Sequence, residues 1–311
     1  MIFTVTLNPA VDRELAVDDI AFDTVLRASQ WQVDCGGKGF NVARMLNSLG
    51  VTSVAMGFAA GKTGELLEEK LQDLGIETDF VWVEGETRTN VSIVSSRSSQ
   101  YVKVNEPGPT IKERDLEQLK EKIGSRVKAG DWWVLAGSVP PGVAADFYGE
   151  LIRIIHGAGA KVFLDTSGEP FKQSCTAGPL LVKPNDAEAQ ELTGLPVSTT
   201  EEIVVAAKAL QQLGPENVIV SLGKAGALLV NGQATWKAES PAIEEKNPIG
   251  AGDSMVAGVV WALNEGAELS EALCRGIACG AATASQSGTT VGTLEQVKKL
   301  LPKVELTALS S

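Results

Sequence analysis

Apolar runs of strand length alternate with segments of helical period along most of this chain, and that alternation leaves few folds open. The runs Ile2–Leu7, Ser53–Phe58, Phe80–Val83, Trp132–Ala136, Val162–Asp165, Leu180–Lys183, Val218–Ser221 and Ala227–Val230 are largely continuous rather than polar at every second position. Strands of that kind are buried on both faces, as parallel strands are when helices cover the sheet above and below. The intervening segments are amphipathic; in Phe40–Leu49 the residues Val42, Met45, Leu46 and Leu49 recur at i, i+3, i+4 and i+7. No repeat or low-complexity linker divides the 311 residues, and a 44% hydrophobic content fills one large core. The expectation is a single α/β domain in three αβα layers around a mostly parallel central sheet.

Two stretches break the pattern. In Ser29–Asp34, Trp31 and Val33 alternate with Gln30, Gln32 and Asp34; Asn90–Asn105 reads as a hairpin, with Val91, Ile93, Val102 and Val104 alternating about Ser95–Gln100. A half-apolar ribbon does not fit the middle of a doubly covered sheet. The pieces are either two ordinary surface hairpins or one small separate sheet, serving as a lid or a subunit contact. The second reading divides the chain into a core (1–10, 36–85 and 106–311) and a β lid (11–35 and 86–105).

Composition removes several function classes. A net charge of −12 with no lysine or arginine run argues against a nucleic-acid or anionic-membrane surface. The four cysteines, Cys35, Cys175, Cys274 and Cys279, lack a CxxC spacing and read as small buried apolar residues. The single histidine, His156, reads as a solvated helix-end residue and leaves no histidine-based triad or metal cluster. The N-terminus lacks a basic segment and meets Asp12 early, and the longest apolar run, Met255–Leu263, is far too short to span a bilayer. A soluble, cytoplasmic protein is expected.

Three segments could carry chemistry. The first is Pro248-Ile249-Gly250-Ala251-Gly252-Asp253-Ser254, leading into an apolar helix expected over Met255–Leu263. Glycines there let backbone N–H groups approach a ligand, and a helix N-terminus attracts anions. Asp253 is either a cap and dipole partner or a base beside an anion cradle, the pair that phosphoryl transfer to a hydroxyl requires. No GxxxxGK[ST] or GxGxxG phosphate loop competes with it. The second is Gly36-Gly37-Lys38-Gly39-Phe40-Asn41, where Asn41 suits hydroxyls and Lys38 suits a phosphate, unless this is a plain strand-to-helix turn with a solvated lysine. The third is Lys183-Pro184-Asn185 with Glu188, at the carboxyl end of an apolar strand. Asn185 and Glu188 could hold the waters of a magnesium ion, or form a capping box.

GGKGFNVARMLNSLG at 36–50 and PIGAGDSMVAG at 248–258 together resemble the two signatures of the ribokinase-like (PfkB) carbohydrate kinases. KPN at 183–185, Ser221-Leu222-Gly223 before Gly226, and Gly137-Ser138-Val139-Pro140-Pro141-Gly142 match in the same order, so the resemblance spans essentially the whole chain. It implies the ribokinase-like fold with a β lid and a homodimer contact through that lid. It also implies Asp253 as the base, with Gly250, Ala251 and Gly252 as the anion hole. Asn185 and Glu188 would organise Mg-ATP through water, with Lys183 near its phosphates and Ser221, Gly223 and Gly226 lining the nucleotide cleft. Asp12, Gly36, Gly37, Asn41 and Ser138 would meet the sugar.

The opening TVTLNPAVD, the GGKG turn and Glu86-Thr87-Arg88-Thr89-Asn90 resemble the phosphosugar branch of that family. Lys38 and Arg88, helped by Asn90, would bind a phosphate already on the acceptor. Lys103 and Arg27 either add lid contacts or stay solvated. The segment Val104–Pro109 looks most like kinases of fructose 1-phosphate, with tagatose 6-phosphate and fructose 6-phosphate as alternative acceptors. A potassium ion would use Asn247, Ile249, Thr283 and Gly288, although Pro248 departs from the usual residue there. A catalytically silent sensor on the same fold, and a dinucleotide-dependent oxidoreductase lacking its glycine fingerprint, are the readings from other classes.

Overall fold

The computed structural model describes residues 1–98 and 100–309. In chain order its first strands are β1 (Ile2–Thr6), β2 (Ala10–Val17), β3 (Gln30–Gly36), β4 (Ser53–Ala60), β5 (Glu77–Val83), β6 (Arg88–Ser95) and β7 (Tyr101–Asn105). They continue as β8 (Trp132–Ala136), β9 (Lys161–Asp165), β10 (Leu181–Val182), β11 (Asn217–Ser221), β12 (Ala227–Asn231), β13 (Thr235–Glu239) and β14 (Glu305–Leu309). The large sheet has the order β14-β13-β12-β11-β10-β9-β8-β1-β4-β5. It is parallel from β11 to β5, and β12, β13 and β14 continue it antiparallel.

Each face of this sheet has its own core, which is why its strands read as continuous apolar runs. Phe3, Val5 and Leu7 join Trp133 and Leu135 under one helical layer, and Ile2 joins Trp132, Val134 and Ala136 under the other. Phe3 stacks on Trp133 with ring centroids 4.2 Å apart. The layers are the αβα architecture around a mostly parallel sheet that the sequence led us to expect.

The two ribbons form one four-stranded sheet of order β3-β2-β6-β7. The β2–β3 and β6–β7 pairs are antiparallel, and β2 lies parallel to β6. Register puts Trp31, Leu15, Ile93 and Val102 in one row and Val33, Arg13, Val91 and Val104 in the next, on the same face. The opposite face carries Gln32, Glu14, Ser92 and Lys103, then Asp34, Asp12, Asn90 and Asn105.

Several expectations shift. The helix expected from Met255 begins at Ala251, because Gly250 takes the left-handed conformation (φ 78°) and starts the helix early. The strand expected over Leu180–Lys183 shortens to Leu181–Val182, followed by an isolated bridge from Asn185 to Ser221, since Pro184 has no N–H to donate. Cys274 is partly exposed, whereas Cys35, Cys175 and Cys279 are buried and free. Of the expected turn at Ser95–Gln100, Ser99 lies outside the described residues. No helix among the described residues is long and apolar enough to cross a membrane.

Candidate active site

Asp253 sits in the first turn of the helix Ala251–Asn264 and is 8% exposed. Its side chain does not cap that helix; its Oδ2 accepts a hydrogen bond from Asn41 Nδ2 at 2.8 Å, on the separate helix Lys38–Ser48. Burial, and then the charge of Asp165, push its pKa up to about 6, against the lowering influence of Lys38, the Asn41 bond and Lys183. The Ala251 N–H donates to the Pro248 carbonyl at 3.2 Å. Gly252 and Asp253 offer N–H groups with no backbone acceptor among the described residues, the ordinary state of a first helical turn.

Asp165, at the carboxyl end of β9, is 1% exposed and binds both lysines singled out in the sequence. Its Oδ1 accepts from Lys38 Nζ at 2.9 Å, and its Oδ2 lies 3.4 Å from Lys183 Nζ. Burial alone would raise the Asp165 pKa, but Lys183 and Lys38 outweigh it and hold the carboxyl below its ordinary range. Burial likewise works to lower the Lys38 pKa, and Asp165 and Asp253 more than reverse that. A Cβ on Gly252 would stand 3.5 Å from Lys183 Nζ, so this ammonium adjoins the anion turn. Asp165 was not anticipated as a site residue; its only signal was the one that picked out Lys183, a polar residue ending an apolar parallel strand.

A cleft of about 840 Å³ opens from this cluster. Lys38, Lys183, Asn185, Glu188, Ser221, Gly223, Gly226, Gly252 and Asp253 all line it. Asn185 and Glu188 do form a capping box: Asn185 Oδ1 accepts from Glu188 N at 2.7 Å, and Glu188 Oε2 accepts from Asn185 N at 2.8 Å. Each residue keeps a further polar atom for solvent. Gly226 has no room for a side chain, since a Cβ would fall 2.0 Å from the Ala238 carbonyl oxygen.

Of the residues assigned to the sugar, Asn41 meets Asp253, while Asp12 and Asn90 lie side by side on the polar face of the small sheet. Asp12 Oδ1 accepts from Asn90 Nδ2 at 2.8 Å, and a Cβ on Gly36 would meet Asp12 Oδ2 at 2.5 Å. Gly37 makes the turn into the Asn41 helix at φ 121°. Asn8 Nδ2 bonds the Pro107 carbonyl at 3.1 Å and Ser138 Oγ at 3.4 Å. The Arg88 guanidinium donates to the carbonyls of Asn8, Pro9 and Glu106 at 3.0, 3.4 and 3.1 Å. Carbonyls fix its place without neutralising its charge. Its neighbours are clamped to the core, because Thr87 exchanges two bonds of 2.9 Å with the backbone of Ala60. Glu86 accepts from the N–H groups of Lys62 and Thr63 at 3.2 and 3.1 Å. Lys103 and Arg27 are exposed, and neither forms a hydrogen bond or ion pair within the described residues.

Around the residues named for a monovalent ion, the Gly288 carbonyl accepts from Asn247 Nδ2 at 2.7 Å. The Ile249 N–H donates to Asn247 Oδ1 at 2.9 Å, and the Thr283 carbonyl accepts from Gln286 N at 2.9 Å.

The model for pfkB family carbohydrate kinases matches residues 5–296. Over 309 residues the chain is 38% identical to 1-phosphofructokinase of Bacillus subtilis (strain 168), covering 99% of this chain and 100% of that one. It is 35% identical over 266 residues to tagatose-6-phosphate kinase of Staphylococcus epidermidis, covering 85% of each chain. Among solved structures, phosphofructokinase-2 from Escherichia coli in complex with potassium superposes with a TM-score of 0.92 at 31% identity, over 97% of this chain and 98% of that one. A tetrameric inhibited form of the same enzyme has also been solved. With a family match spanning nearly its whole length and the paired glycine turns meeting at one buried carboxylate, the chain belongs to the pfkB family of carbohydrate kinases.

Proposed function

We propose that this kinase transfers the γ-phosphoryl group of ATP to the C6 hydroxyl of fructose 1-phosphate, giving fructose 1,6-bisphosphate and ADP. The observation that carries the reading is Asp253, buried with its pKa pushed up to about 6, which lines a nucleotide-sized cleft and accepts a hydrogen bond from Asn41. At neutral pH its carboxylate accepts the proton of the acceptor hydroxyl, whose oxygen then bonds to the γ-phosphorus as the bond to the β,γ-bridging oxygen breaks. The N–H groups of Gly250, Gly252 and Asp253, with the ammonium of Lys183, would meet the charge that develops there, whereas the Ala251 N–H is held by the Pro248 carbonyl. Arg88, whose charge pairs with no carboxylate among the described residues, suits the phosphate already on the acceptor. The phosphosugar specificity of the two relatives supports that role. Tagatose 6-phosphate and fructose 6-phosphate remain the competing acceptors.

Among the described residues no three His, Cys, Asp or Glu side chains gather to hold a metal ion. Exposed Asn185 and half-buried Glu188 fit a magnesium ion that arrives with ATP and keeps its waters; the ion would neutralise phosphate charge. Potassium belongs to the same reading: the carbonyls of Thr283 and Gly288 each accept one N–H, and each retains a second lone pair. A cytoplasmic location, where ATP is supplied, and a homodimer through the small sheet complete the proposal.

The test is Asp253→Asn assayed with ATP and fructose 1-phosphate, fructose 6-phosphate, tagatose 6-phosphate and ribose. Turnover should fall by about 10²–10⁴-fold with ATP binding retained, and the wild type should favour fructose 1-phosphate in kcat/KM. Wild-type turnover in the variant would remove Asp253 as base, and exclusive use of ribose would remove Arg88 from the acceptor phosphate.

A further inference from the structure

We infer that Arg44 is a positioning residue for the transfer step: its guanidinium decides which end of the Asn41 amide meets Asp253, and ties that choice to the root of the small sheet. The inference rests on Asp253 being the base. An asparagine amide presents a donor at one end and an acceptor at the other, and only the NH₂ end attracts a carboxylate. Asn41 and Arg44 are three residues apart on one helix and therefore neighbours on its surface. Arg44 Nη1 donates to Asn41 Oδ1 at 3.3 Å, which leaves Nδ2 directed at Asp253 Oδ2, 2.8 Å away.

Two further bonds fix the guanidinium itself. Nη1 also donates to the Cys35 carbonyl at 3.4 Å, near the end of β3, and Nη2 donates to the Thr289 carbonyl at 3.0 Å. The Thr289 hydroxyl in turn donates to Asp34, also on β3, at 2.5 Å. A small sheet seated on the core thus holds Arg44, Arg44 holds the amide, and the amide stabilises the ionised base. The other charged groups facing Asp253 are Asp165 at the end of β9, Lys38 on the Asn41 helix and Lys183 after β10. Arg44 forms no hydrogen bond or ion pair with Asp253, so its loss acts through Asn41.

The acid limb of kcat/KM against pH reads this directly, because it reports the ionisation of the free enzyme's base. In Arg44→Met the amide loses its anchor and donates to the carboxylate less persistently, so the limb should move up, by as much as about one pH unit. Arg44→Lys keeps the charge but has one ammonium for three acceptors, so it should move the limb too; it also carries the test if the methionine variant does not fold. Asn41→Ala should move the limb, and adding Arg44→Met to it should move it no further. Limbs at the wild-type midpoint in both Arg44 variants, with Asp253→Asn inactive, overturn the inference alone. A wild-type midpoint in Arg44→Lys beside a raised one in Arg44→Met makes the effect one of charge and also overturns it. Activity surviving in Asp253→Asn overturns the base assignment, and this inference with it.

Discussion

Two carboxylates and two ammonium groups share the space beyond the carboxyl ends of β9 and β10, and their contacts decide which carboxylate is easily protonated. Asp165 touches both lysines and stays ionised although it is almost wholly buried; among the described residues the Asp253 carboxylate bonds only the Asn41 amide, and its pKa rises to about 6. The acid limb of kcat/KM should accordingly lie near pH 6, with activity lost as pH falls through it. Asp165→Asn removes a charge that raises the Asp253 pKa and frees two that lower it, so the limb should move to lower pH, opposite to the Arg44 variants. Breaking a buried pair also leaves its partners uncompensated, which costs about 3–5 kcal/mol. Urea unfolding at pH 7 beside the pH profile checks both; an unmoved limb together with unchanged stability would show that Asp165 does not organise this site. Asp253, Asn41, Lys38 and Lys183 were legible in the sequence because each lies in a glycine or proline turn whose composition has a chemical reason. Asp165 was not, since it ends an ordinary strand and its meaning comes from Lys38, 127 positions away in the chain.

The helix that carries Asp253 is placed by its contact with the helix Leu269–Ala284, and glycine makes that contact close. A Cβ on Gly258 would lie 2.7 Å from the Arg275 carbonyl oxygen, 2.8 Å from Cys279 Sγ and 2.9 Å from Gly276 Cα, so backbone that cannot swing aside fills much of the space. Gly258→Ala should therefore push the helices apart and cost about 1–3 kcal/mol. Because the displaced helix bears the proposed anion turn and base, kcat should fall while the KM for the sugar phosphate changes little. Steady-state kinetics with a thermal melt test this, and unchanged kcat in a destabilised protein would separate packing from catalysis. Elements of this kind were readable where one period dominates, as in Phe40–Leu49. They were not readable in β2, whose centre Asp12-Arg13-Glu14 breaks the alternation, nor in β14, which is exposed along most of its length. Both strands are specified by the partner they pair with more than by their own residues.

The small sheet gives the molecule two unlike surfaces from one set of strands. Its polar face carries Asp12 and Asn90, proposed to meet the acceptor, while its other face lines up Trp31, Leu15, Ile93, Val102, Val33, Val91 and Val104. Trp31 and Val104 are 69% and 60% exposed, so the single chain leaves this apolar row uncovered. A second copy laid face to face, at the roughly 10 Å spacing of packed sheets, would bury it. Only Arg13 interrupts the row. Val104→Lys puts a second charge into that face without altering the polar one, and it should convert a dimer into a monomer in sedimentation velocity. Losing the support of the partner sheet should loosen Asp12 and Asn90, raising the KM for the sugar phosphate about tenfold, or ~1.4 kcal/mol, and leaving the KM for ATP nearly unchanged, since the nucleotide cleft belongs to the large sheet. A variant that stays dimeric, or a wild type that sediments as a monomer at micromolar concentration, would assign this face to something other than a second copy of the chain.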